Sequence, residues 1–361
     1  MTTEIRKERV ATVRAQLRRL GLDGLIVTKP ENVTYLTGFA GGDSWAIVTK
    51  KELILLTDSR YIEQAQKECV NTRIAQRPGA EPIAQAGGKL AGKLKSVKTV
   101  GVEKSISLGM YEVLRKKAGL SLKPVAGIVE EPRSIKDRHE AAAIRTAASI
   151  AAKAFGEILQ RIVPGITENE LAGALDLEMR RLGGKNAFET IVAFGPNGSR
   201  PHHRPTPRKL KAKDTVLIDF GALYQGYHSD LTRSFAFGTP TADYRAAYRV
   251  VERAQAAAIA VAKAGAPLVD VDAAARAVIR ESGLPVYGHG SGHGIGLEIH
   301  ENPFLRETAE GVLQTGQILT IEPGVYLPGK LGIRLEDDLL ITETGCKIIT
   351  AECPHMPILQ R

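Results

Sequence analysis

The stretch IDFGALYQGYHSDLTRSF, residues 218–235, decides the reading of this chain. Two apolar runs, TVLIDF and LTRSFAF, flank the turn residues Gln225–Gly226, which is the pattern of a β-hairpin. Folding about that turn sets Asp219 and Asp230 within a residue or two of each other on adjacent strands. Asp219 is then semi-buried, and an ionised carboxylate there, without a cation or donors, costs on the order of several kcal/mol. A structural ion pair, Asp230 with Arg233 for instance, is the plainer alternative.

The sequence repeats the arrangement. In TIEPG and GIRLEDD, Glu322 and Glu336 lie symmetrically about the turn Pro328–Gly329–Lys330, so a second hairpin sets them opposite each other. Alternation puts Arg334, Glu336 and Asp338 on one face and Ile333, Leu335 and Asp337 on the other. On spacing alone, either Asp after Glu336 would also serve as the acidic group. HGSGHGIGLEIHE presents His289, His293 and His300 on a glycine-dense loop, where backbone and ligand can approach closely. It does not satisfy GxGxxG in any register, which excludes a dinucleotide loop. In FGPNGSRPHHRP, a Pro/Gly-rich loop, His202 and His203 are equal candidates.

Four carboxylates with an imidazole and no thiolate suit hard cations, Mn²⁺ above all, with Co²⁺ or Fe²⁺ as alternatives. Two such ions about 3.5–4 Å apart can activate one water and polarise a carbonyl, while neighbouring histidines bind the carbonyl oxygen or move the leaving-group proton. If these residues converge in the fold, the expectation is a metallohydrolase rather than a binding module.

The rest of the chain frames this constellation. With 361 residues, two domains are expected. Residues 1–132 alternate helix and strand: helix 4–20, strand 22–29, strands in SWAIVTK and ELILLT, helix 59–69, strand 72–77, helix 81–95, strand 99–103 and helix 107–118. This is an α/β domain without a Walker sequence. The charged, proline-containing EEPRSIKD at 130–137 marks the boundary, and 133–361 forms the second domain. There, a long Ala-rich helix (137–162, capped by Asp137 with Glu140), a shorter helix (from Thr167 with Glu170 to Gly183–Gly184) and strands at 186–194, 214–223 and 229–237 are followed by a similar set. The second set comprises helices 240–263 and 269–282 and strands near 295–300, 316–326 and 331–342. The recurrence predicts an α+β domain with an internal pseudo-twofold repeat, two Asp in one half and two Glu in the other.

The formal charge of +9 is uneven. Residues 1–135 hold 23 Lys and Arg against 14 Asp and Glu, and the remainder holds 26 of each. The basic residues are scattered at helical spacing without a run of five, which is a solvated helix face and not a nucleic-acid site. No apolar run approaches the roughly 18–20 residues that span a bilayer, the N-terminus has no apolar leader, and the three cysteines show no CxxC spacing. The expectation is a cytoplasmic protein with reduced thiols, no membrane partner and no nucleic-acid partner.

These motifs, with PNGSRPHHRP and IEPGVY, resemble the pita-bread metallopeptidases, aminopeptidase P and prolidase, over about residues 138–355; residues 1–132 resemble their creatinase-type N-terminal domain. The resemblance implies that Asp219 chelates one metal, Asp230 and Glu336 bridge two, and His293 and Glu322 complete the other. Glu322 would be the base, His202, His289 and His300 would bind substrate or shuttle protons, and Arg334 would support the ligands from behind. It further implies a homodimer acting on small peptides with proline at position two, as a Xaa-Pro aminopeptidase or dipeptidase. Creatinase-like members and histone-chaperone modules of this fold have lost the ligands that are present here, and methionine aminopeptidases usually lack the first domain. An aminopeptidase of other N-terminal specificity and a non-catalytic peptide-binding module are the remaining alternatives.

Overall fold

The computed structural model describes residues 3–95 and 97–360. The chain divides into two units, Met1–Arg133 and Ser134–Arg361. The first is a six-stranded sheet in the order β4-β3-β2-β1-β5-β6. Its strands are β1 (Gly24–Val27), β2 (Trp45–Thr49), β3 (Leu53–Asp58), β4 (Arg73–Arg77), β5 (Thr99–Glu103) and β6 (Ser121–Val125). Around it lie α1 (Thr3–Arg19), α2 (Pro30–Thr37), α3 (Ile62–Glu68), α4 (Ile83–Gly92), α5 (Leu108–Ala118) and α6 (Glu130–Ser134). Helix α1 buries Val10, Val13 and Leu17, an i, i+3, i+7 stripe. Sequence pattern missed α2, whose eight residues are too short for a helical period to emerge; Pro30 opens it and Gly38, at φ 76°, closes it.

The division falls within the charged stretch 130–137, where Glu130–Ser134 is helical and Arg133 is buried with its Nη1 donating to Asn32 Oδ1 at 2.7 Å.

The second unit is built twice. Helices α7 (Arg138–Ile158) and α8 (Glu168–Arg181) pack on a sheet whose strands include β8 (Ile191–Phe194), β9 (Thr215–Phe220) and β12 (Leu231–Phe237). A small sheet joins β7 (Lys185–Asn186), β10 (Ala222–Tyr224) and β11 (Tyr227–His228). Helices α9 (Ala242–Val261) and α10 (Leu268–Glu281) pack with β13 (Gly292–Gly294), β14 (Glu301–Leu305), β15 (Ile318–Ile321), the hairpin β16 (Gly324–Leu327) with β17 (Leu331–Arg334), β18 (Asp337–Ile341) and β19 (Cys346–Ile348). Strand β20 (Ile358–Leu359) returns to pair with β12. Each half has its own apolar core, one around Phe155, Leu175, Val192 and Phe220, the other around Val251, Val271, Leu319 and Ile333. A bridge from Thr232 to Glu336, with Ser234 Oγ bonded to the Arg334 backbone, ties the two halves together.

Both expected capping boxes form, at Asp137 with Glu140 and at Thr167 with Glu170. The strand expected at 295–300 does not. That segment loops out between β13 and β14, with a register shift at His293/Gly294. The glycines explain it, because they let flanking backbones approach too closely for any side chain: a Cβ on Gly292 would lie 1.9 Å from Thr320 O, and one on Gly294 2.4 Å from Asn302 O.

Candidate metal centre and active-site cleft

Both acidic pairs are set by hairpin register. Leu231 pairs with Phe220 and Thr232 with Asp219, so Asp230 lies just beyond the rung occupied by Asp219. The turn between them uses positive φ at Gln225 and Gly226, as a two-residue hairpin loop requires. In the second half, Ile321 pairs with Asp337 and Gly324 with Arg334, so Glu322 stands level with Glu336.

The fold brings all nine site residues inferred from sequence to one cleft of about 490 Å³: His202, Asp219, Asp230, His289, His293, His300, Glu322, Arg334 and Glu336. Asp230, His293 and Glu336 offer ligand atoms within 4.8 Å of one another. His293 Nε2 lies 3.6 Å from Asp230 Oδ2 and 3.5 Å from Glu322 Oε1. Its Nδ1 donates to Gly294 O at 3.2 Å, which leaves Nε2 a bare lone pair aimed at two carboxylates. Burial holds His293 at about 3 and His289 at about 4, so both are neutral imidazoles near pH 7. With their protons off, the imidazole nitrogen and the two carboxylates are all acceptors and repel one another, and a cation among them removes the conflict.

The carboxylates tell the same story. Burial raises Asp219 and brings Glu322 to about 7; burial, with the surrounding acids, raises Asp230 and Glu336 well above their ordinary values. Asp219 Oδ1 is buried with no hydrogen-bond partner, while its Oδ2 accepts from Arg334 Nη2 at 2.5 Å. The pairing of Asp230 with Arg233 considered from sequence does not form, since Arg233 takes Asp337 at 2.8 Å.

Tertiary structure separates the open alternatives. His203 is buried on Glu168, at 2.9 Å, and His202 is exposed at the cleft. Asp337 turns away to Arg233, Thr350 and His355, and Asp338 accepts the backbone N–H of Asp230 from behind at 3.0 Å. Glu336 alone of the three points into the cluster.

Sequence reasoning missed the supporting groups. Thr232 Oγ1 donates to Glu336 Oε2 at 2.6 Å and accepts from Arg334 Nε at 3.0 Å. Tyr326 Oη accepts from Arg334 Nη1 and meets His289 Nε2, each at 3.0 Å. His289 Nδ1 donates to Gly290 O at 2.7 Å, so its Nε2 is the acceptor and the phenol the donor. Strand alternation carried the signal for Tyr326, four residues beyond Glu322. The cleft walls are apolar, with Phe188, Ile191, Pro201, Ile299 and Phe304, and an exposed pair, Glu189 and Arg204 at 3.6 Å, stands at the rim.

A buried carboxylate–imidazole cluster that asks for cations, in a cleft shared by two half-folds, defines a metal-dependent hydrolase. The chain belongs to metallopeptidase family M24, whose model matches residues 142–343, and residues 9–135 match the creatinase/prolidase N-terminal domain. The catalytic unit thus has the pita-bread architecture. Among proteins of known structure, the chain is similar to a Xaa-Pro dipeptidase from Bacillus anthracis, 35% identical with TM-score 0.93, covering 98% of this chain and 100% of that one. It is also similar to an X-Pro aminopeptidase from Thermotoga maritima, 34% identical with TM-score 0.85, covering 96% and 100%. The Xaa-Pro dipeptidase of Pyrococcus horikoshii is 34% identical over 96% of this chain and 98% of its own.

Proposed function

We propose that this protein is a dinuclear-metal Xaa-Pro peptidase that hydrolyses the bond between an N-terminal residue and a following proline, as aminopeptidase, dipeptidase or both. The observation that carries this reading is the donor-less meeting of His293 Nε2, Asp230 and Glu322 beside two further buried carboxylates. Asp219, Asp230, Glu336, His293 and Glu322 would hold the ions, and their oxygen-rich character favours Mn²⁺, with Co²⁺ or Fe²⁺ as alternatives. Bound divalent ions would supply carbonyl polarisation and a lowered pKa for water.

The side chains supply the rest. Glu322, whose Oε1 lies 3.5 Å from His293 Nε2 at the cleft, would be the base that takes the proton of the attacking water. His202 and His300, exposed at the cleft, would hold the substrate carbonyl and return the proton to the leaving nitrogen. That step matters for a prolyl bond, because its nitrogen carries no hydrogen. His289, neutral and bonded at both ring nitrogens, serves as a fixed wall, and Arg334 steadies Asp219. The apolar lining suits a pyrrolidine ring.

The reading includes a creatinase-type domain over 1–132 and a catalytic domain over 133–361, supported by the two family matches. It also places the protein in the cytoplasm as a homodimer acting on small peptides. Three unpaired cysteines fit a reducing compartment, and among the described residues no helix is long and apolar enough to cross a membrane.

The test is hydrolysis of Ala-Pro and Ala-Pro-Ala by metal-stripped protein, before and after adding Mn²⁺ or Co²⁺. Metal-restored cleavage of the dipeptide alone means a dipeptidase, and cleavage of the tripeptide means an aminopeptidase or a broad peptidase. Cleavage of neither, with metal bound, overturns the reading. His202→Ala should lower kcat by about 100-fold or more with metal content unchanged.

A further inference from the structure

The histidine loop 195–206 has almost no regular structure beyond the single turn Gly195–Ser199, yet it must hold His202 at the cleft. Its grip comes from one fully buried residue on α8. Glu168, 0% exposed, accepts five hydrogen bonds, all from this loop and its hinge: Phe194 N and Asn197 Nδ2 at 2.8 Å, His203 Nε2 at 2.9 Å, Thr206 N at 3.0 Å and Thr206 Oγ1 at 2.5 Å. Burial by itself would raise its pKa, but the bonds from His203, Thr206, Asn197 and Phe194 outweigh burial and hold it below the ordinary glutamate value. The carboxylate therefore stays ionised and receives donors from both sides of His202.

The second half repeats the device. Asp272 of α10, also 0% exposed, accepts from Ser291 Oγ at 2.6 Å and pairs with Arg276 at 2.7 Å, and Arg276 donates to the carbonyls of Tyr287 and His289. Each short helix thus contributes one buried acid that organises a histidine-bearing loop.

Resting on the Xaa-Pro peptidase reading, we propose that Glu168, acting through His203, is the positioning residue that sets His202 for catalysis. The residue touches no reacting atom. Its effect is to fix the neighbouring imidazole, and a displacement of about 1 Å in such a group can cost about 100-fold in rate.

A double-mutant cycle tests this. His203→Asn removes one tie and leaves Glu168 its other four donors. It should lower kcat on the cleaved peptide by about 10–100-fold, with KM within about threefold and metal content unchanged. In a His202→Ala background the same substitution should cost nothing further, because its effect passes through a side chain already removed. Multiplying losses, or no loss from His203→Asn alone, would overturn the proposal. Glu168→Gln, which keeps an acceptor, should be more active than Glu168→Ala, and if the latter does not fold the His203 cycle still decides. Amide deuterium exchange reads the positioning without activity: His203→Asn should speed exchange within 195–206 and leave 318–341 unchanged. Unchanged exchange in 195–206 refutes the positioning role even if the wild-type protein cleaves neither peptide, the result that would separately sink the peptidase reading.

Discussion

Stripping divalent ions should make the protein lose stability as pH rises above neutrality. Burial and mutual repulsion raise Asp230 and Glu336 well above ordinary carboxylates, and burial brings Glu322 from 4.5 to about 7. A carboxyl whose pKa is higher folded than unfolded keeps a proton that the unfolded chain has released. Its contribution is full below the unfolded pKa and is lost as pH rises through the folded one. His289 and His293, lowered to about 4 and 3, act in the opposite sense, but only where unfolded imidazoles take up protons, below about pH 6.5. Between pH 7 and 8.5 the carboxyls therefore dominate. Each proton the folded cluster retains costs about 1.4 kcal/mol per pH unit, or about 2 kcal/mol over this interval. For a domain of about 150–250 residues that corresponds to a fall in Tm of about 4–8 °C. With Mn²⁺ bound, the cation replaces the proton and the slope should vanish, so the stabilisation by metal grows with pH. Thermal melts of chelator-stripped and Mn²⁺-loaded protein at pH 7.0, 7.75 and 8.5 measure both curves. Parallel curves, with a metal-induced gain independent of pH, would refute the assignment of this cluster as a cation site.

Asp230→Asn should lower kcat by more than about 100-fold, beyond the range for groups that merely support ligands, while metal-free protein at pH 8.5 melts no lower than wild type; peptide hydrolysis and calorimetry check the two halves. Gly332→Ala would put a Cβ 1.7 Å from Gly198 O, backbone that cannot yield, and should cost about 1–3 kcal/mol in denaturant unfolding while lowering kcat by moving both Arg334 and the His202 loop. Tyr326→Phe removes the bonds to His289 and Arg334 and should reduce kcat about tenfold with bound metal retained, which elemental analysis beside steady-state kinetics would reveal.

The sequence alone determined both acidic pairs. Hairpin register is local: two turns, at Gln225–Gly226 and at Pro328–Lys330, fix which residues face each other, and counting outward sets Glu322 level with Glu336 and Asp219 opposite Thr232, two residues from Asp230. The duplicated helix pairs were equally legible, because their Ala-rich period and capping boxes are written within each segment. The glycine density of 289–300 was visible too, but its meaning was not. Those glycines accommodate Thr320 and Asn302 backbones and break the strand expected there. Likewise, nothing local distinguishes His202 from His203, and strand alternation sets Asp337 apart from Glu336 without separating Glu336 from Asp338. Those choices are made by Glu168, Arg233 and the Asp230 backbone, which come from distant parts of the chain. Only tertiary structure decides which of several adjacent polar groups is buried on a partner and which remains to face the cleft, because the cost of burying a polar group depends on partners that folding alone assembles.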